Sequence, residues 1–199
     1  MNNKLMEFLV SLRDDAVEWC RGRNWWVRLP LLLFFVYVLA RHLSDPLYTS
    51  ILSPLNLGIH ELGHLIFSFT GEVLMVVGGT LLQLTIPILA IFNFRRQNDF
   101  FAMALSFGWL STNLFSVATY VADSRKLELP LVTLFGGDNV IHDWEYLLFK
   151  MNLLVYDQLI AGIFRAFGVI SMLICFLAGV WLLWQMFYSR NKDQPRQTL

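Results

Sequence analysis

The chain has 199 residues with a formal net charge of zero, and is 56% hydrophobic against only 15% charged. That balance excludes an ordinary soluble domain, which needs more polar surface, and offers nucleic acid no basic face. The apolar runs are continuous rather than alternating, which argues against a β-barrel. They predict an all-α polytopic membrane protein with about four to five transmembrane helices.

Residues 1–26 read as an amphipathic interfacial helix. Leu5, Phe8, Leu9, Leu12, Ala16 and Trp19 recur at helical spacing among charges, the pattern of a helix lying on a membrane surface or on a partner rather than of a removed signal. Trp25 and Trp26 then serve as interfacial anchors. The membrane core is expected over 27–188 as one domain. Its first span is Leu29–Leu39, closed by Arg41, His42, Asp45 and Pro46, and Ile51–Phe69 is the second apolar segment. Glu72–Thr80 predicts a re-entrant β-like piece, because Val73, Val76 and Val77 are β-branched and Gly78-Gly79 breaks regularity. Leu81–Phe94 resumes helix around Pro87, while Phe100–Val121 and Leu159–Phe187 are spans separated by the polar-containing stretch Ala122–Gln158. Residues 189–199 are expected to form a flexible tail. Cys20 and Cys175 lie at opposite ends of the chain, one inside an apolar run, and two lone cysteines offer neither a disulfide framework nor a CxxC metal site.

Lys and Arg set the expected orientation. They cluster in the N-terminal segment (Lys4, Arg13, Arg21, Arg23, Arg28), after Phe94 (Arg95, Arg96) and in the tail (Arg190, Lys192, Arg196). All three clusters share the cytoplasmic side if Ile51–Thr80 enters and returns from one face, a helix going in and the β-like piece coming back. Ala122–Gln158 then lies on the opposite face. These basic ends, with no transit peptide, fit a bacterial inner membrane.

The second apolar segment reads LNLGIHELGHLIFSF, Leu55–Phe69. His60 and His64, at i and i+4, share one helix face a turn apart, with Glu61 beside them. Two imidazoles so spaced reach one Zn2+ ion, and the glutamate acts as general base toward a zinc-activated water. The bland alternative is a hydrogen-bonded core cluster. An ionisable side chain at membrane depth costs on the order of 3 kcal/mol, so three within five residues weigh toward a metal site. Gly63 lets another backbone approach closely.

The HExxH motif in an apolar segment, followed by GGTLLQLTIP, resembles the site-2 protease family of intramembrane zinc metalloproteases. The resemblance covers Leu55–Pro87 and implies an endopeptidase cleaving membrane-associated protein or peptide substrates within the lipid bilayer. It also implies a third zinc ligand from a later segment. The asparagine-proline segment and Asp-Gly pair usual there are absent, and GGDNVIHDWEYLL offers Asp138, His142 and Asp143 instead. Chemistry favours His142, a neutral imidazole, with Asp143 placed to cap the next helix. The resemblance favours Asp143, and both stay as candidates. A Gly-Gly turn before a capped interfacial helix explains the same stretch without a metal. Ser111, Thr112, Asn113, Ser116 and Gln83 either join helices by hydrogen bonds or line a cleft, with Gln83 and Asn113 as substrate-binding candidates. Two rival readings remain: an inactive metal-binding scaffold or chaperone, and a small ion-transport component.

Overall fold

Four helices run side by side in the computed structural model, which describes residues 2–130 and 142–193. They are α2 (Leu29–Ser44), α4 (Glu72–Arg96), α5 (Phe100–Ala122) and α7 (Asp157–Asp193). A surface helix α1 (Asn2–Cys20), a short inserted helix α3 (Ser53–Phe67) and a two-turn helix α6 (Asp143–Lys150) complete the set. Three segments are long and apolar enough to cross a membrane: Glu72–Arg96, Phe100–Ala122 and Leu154–Arg190. α2 is apolar but shorter.

Cross-contacts fix how the ends align. At one end, Arg95 bonds Asp15, Trp19 packs edge-on to Phe100, Trp25 meets Phe187, and the Cys20 thiol donates to the Leu182 carbonyl. The basic clusters of α1, of the α4–α5 turn and of the end of α7 therefore gather at the same end of the bundle. At the other end, the Gln158 amide donates to Ala122, Arg125 pairs with Asp157, and Lys150 lies 3.9 Å from Glu72. Cys20 and Cys175 are both buried and free.

The expected β-like return over Glu72–Thr80 is not present. The whole of Glu72–Arg96 is a single α-helix, and no β segment occurs among the described residues. Helix lets every amide bond within its own segment, whereas an isolated extended piece in an apolar surrounding would leave bonds unmade. Glu72 in the first turn and Arg95 and Arg96 in the last also match the helix dipole. The glycines that read as a breaker instead allow close packing. A Cβ on Gly63 would overlap the Gly78 carbonyl, and one on Gly78 would come 2.9 Å from the Gly63 carbonyl. α3 and α4 thus pack with backbones nearly touching, as small residues permit between apolar helices.

The turning-back element is the irregular stretch between α2 and α3. Pro46 accepts a bond from Thr119, near the end of α5, whereas Asn56 bonds Thr112 and Trp109, about halfway along α5. The chain therefore dips to mid-depth over 45–52 and climbs back as α3. Its bent backbone is satisfied locally: Asp45 and Ser50 side chains accept from the amides of Leu47 and Leu52. Asp138 and residues 194–199 of the tail lie outside the described residues.

Candidate metal centre

His60 is nearly fully buried on the face of α3 that carries Asn56 and Gly63. That face is fixed at its lower end by Asn56, whose amide donates to Thr112 and whose oxygen accepts from the Trp109 indole. It is fixed at its upper end by the Gly63–Gly78 contact. His60 and His64 consequently present their rings to α4 and to the start of α6.

Each ring is oriented from behind. His60 Nδ1 donates to Gln83 Oε1 at 3.0 Å, and His64 Nδ1 donates to the Met75 carbonyl at 2.9 Å. The Met75 carbonyl only accepts, so the His64 hydrogen sits on Nδ1. Gln83, with its oxygen toward His60, gives that ring the same tautomer. In the neutral rings each Nε2 then carries an unshared pair. The two Nε2 atoms lie 3.0 Å apart, and Asp143 Oδ2 lies 2.9 Å from the first and 3.1 Å from the second. With both rings neutral, three electron-pair donors converge. Positive charge is required at their centre, from a metal ion or from added protons.

The donor spacing fits a metal. Zinc bonds of about 2.0–2.1 Å in a tetrahedron place neighbouring donors roughly 3.3 Å apart, a few tenths of an ångström beyond the distances here. The Glu61 carboxylate groups with the two histidines: one ligand atom each from His60, Glu61 and His64 lies within 4.8 Å of the others. Gly79 forms the floor, since a Cβ there would lie 2.6 Å from His64 Nε2 and 2.8 Å from His60 Cε1.

No protein-family model, curated protein or solved structure matches this chain. What the residues themselves give is a possible metal site in an all-helical chain with three membrane-length helices.

The two third-ligand candidates take exchanged roles. His142, not Asp143, is the N-cap of α6, its Nδ1 accepting from the Glu145 amide at 3.1 Å. Its Nε2 faces the Asp123 carboxylate at 3.5 Å. Burial pulls the His142 imidazole below its ordinary value, against the opposing pull of Asp123, so it stands neutral as a cap. Asp143, the first helical residue, is the one whose carboxylate meets the histidines.

Gln83 sits behind His60 as the acceptor for its ring rather than in open space. Asn113 is fully buried on α5, donating to its own helix at Trp109, and its oxygen has no hydrogen-bond partner. Sequence reasoning missed Tyr120, which ends α5 beside the site. Its hydroxyl oxygen accepts from the Asp143 amide, and its ring packs against His142 and edge-on to His60. A tyrosine at the end of an apolar span ordinarily reads as an interfacial anchor, so no local signal marked it. Asn56 did carry one, standing a helical turn before His60 on the same face.

Proposed function

We propose that the chain is an intramembrane zinc metalloendopeptidase of the site-2 protease type, with His60, His64 and Asp143 as the zinc ligands and Glu61 as the general base. The observation that carries this reading is the convergence of three electron-pair donors within 3.1 Å of one another, with Glu61 at their side. Two rings oriented from behind by Gln83 and Met75 are the outer-shell arrangement that metal-bound histidines require.

When bound, zinc supplies a water that ionises near neutral pH and a Lewis acid for the scissile carbonyl. Glu61 takes the proton of the attacking water and later delivers it to the leaving amine, so that one C–N bond breaks and one C–O bond forms. Gln83 and the Met75 carbonyl hold the imidazoles in the tautomer that keeps both Nε2 atoms free. The described helices bury His60 and Asp143 to 6% exposure each, which keeps bulk water from competing with the ordered nucleophile. The substrate must be locally extended, because a helical amide is shielded by its own hydrogen bonds. Strand pairing with Glu72–Thr80 has no part in this, since that segment is helix.

The site lies toward the end of the bundle opposite the basic clusters, beside Tyr120 near the end of α5, and we assign that end to the non-cytoplasmic face. Glu61→Gln tests the mechanism. The purified variant should retain one zinc per chain and lose cleavage of a membrane-protein substrate by at least a hundredfold. Unchanged cleavage would refute the general-base assignment.

A further inference from the structure

Asp143 is buried at the first residue of a short helix, and as a ligand it must be held precisely. It begins α6, a helix of two turns whose Leu148 and Trp144 pack against α5 and α7 beyond the ligand itself. Its carboxylate meets α3, but α3 itself makes no other bond to α6 among the described residues. Aligning one carboxylate oxygen on two imidazole nitrogens needs the Asp143 backbone to be fixed relative to the bundle, because a displacement of about 1 Å is enough to spoil such a site.

The one hydrogen bond from the Asp143 backbone to a spanning helix is its amide donating to Tyr120 Oη at 3.1 Å. The phenol ring is itself clamped. It packs at 4.2 Å between centroids on His142, the cap of the same helix, and at 6.2 Å edge-on to His60. The hydroxyl therefore touches the third ligand's backbone while the ring touches both the cap and the first ligand. The Asp143 amide belongs to the first turn of α6, where no intrahelical acceptor exists, and among the described residues Tyr120 is the acceptor it finds.

We infer that Tyr120 is the positioning residue for Asp143: it fixes the third donor against α5, so that the metal site is pre-formed when α6 docks. This deepens the metal-centre reading and rests on it. The role acts through Asp143 and needs no contact with substrate. Outer-shell partners of metal ligands are worth about 10–100-fold in metal affinity, and a bond to the ligand's backbone belongs at the lower end of that range.

The test is a competition titration of zinc, together with the visible spectrum of the Co2+-substituted full-length protein in detergent. Wild type, Tyr120→Phe and Thr119→Val are compared. Tyr120→Phe keeps the ring and removes only the hydroxyl. Thr119→Val removes a neighbouring α5 hydroxyl bond, the one to the Pro46 carbonyl, away from the site. The expected result is zinc binding about tenfold weaker in Tyr120→Phe, with a shifted Co2+ ligand-field band, and wild-type values for Thr119→Val. Equal affinity and spectra in Tyr120→Phe and wild type would overturn the inference while leaving the metal site standing. An equal loss in Thr119→Val would overturn it too, by assigning the effect to general loosening of α5. Wild-type protein that binds neither metal would instead refute the metal-centre reading itself.

Discussion

Gly79 lies directly under His64, so close that a single methyl group at its Cα would stand 2.6 Å from the imidazole Nε2. The same methyl would lie 2.8 Å from His60 Cε1. A glycine in the middle of α4 costs helix stability, about 1 kcal/mol relative to alanine. Here it is the only residue that leaves room for both rings. Gly79→Ala should push the imidazoles apart and reduce bound zinc to below a tenth of the wild-type content. Gly58→Ala, on α3 but with nothing within 4 Å of its added carbon, should leave zinc content unchanged. Metal analysis of the two purified variants checks this, and equal zinc in both would contradict the packing argument.

Asp143 and His142 give the sharpest contrast between neighbours. Asp143→Ala removes a donor from the convergent group and should abolish stoichiometric zinc. His142→Ala removes the cap of α6. It should lower thermal stability by about 1 kcal/mol, the ordinary worth of an N-cap, while most of the zinc is retained. A His142→Ala protein without zinc, beside an Asp143→Ala protein with it, would reverse the assignment.

That pair also marks where sequence reading stops. His60, Glu61 and His64 are legible because helical periodicity alone places i and i+4 on one face. The choice between residues 142 and 143 is not periodic. It depends on where α6 begins: the cap folds back onto the Glu145 amide of the first turn, and the next residue turns toward α3. Gly78-Gly79 misled for a related reason. As local chemistry the pair breaks regularity, but its cause is tertiary, a close approach between α3 and α4 that no window along the chain contains. The expected return over Glu72–Thr80 was misplaced, since that segment is helix and the chain turns back earlier. The identity of the true return, irregular chain over 45–52 followed by α3, rests on long-range bonds such as Thr119 to Pro46.

Gln83 acts from behind His60. Gln83→Leu leaves the ring's Nδ1 hydrogen buried without an acceptor, at a cost of about 1–3 kcal/mol. It also frees the ring to rotate or change tautomer. Zinc affinity should fall about 10–100-fold, measured by competition with a chromogenic chelator. An unchanged affinity would show that His60 needs no support from α4.

Sidedness follows from the alignment of helix ends. Single-cysteine reporters at Arg96, Arg190 and Lys4 should all be labelled from the cytoplasmic side of intact cells or oriented vesicles. A reporter at Lys126 should be labelled only from the other side. The native thiols will contribute little background: both are buried, and burial pushes Cys20 up to about 11. Labelling of Arg96 and Arg190 reporters from opposite faces would break the four-helix arrangement.

The account stands or falls on what sits between His60, His64 and Asp143. X-ray absorption at the zinc edge of the purified protein reads this directly. The predicted first shell is four nitrogen or oxygen atoms at about 2.0–2.1 Å, with outer-shell scattering from two imidazoles and no sulfur. Protein that carries no zinc after preparation without chelators, or a shell containing sulfur or only one imidazole, would contradict it.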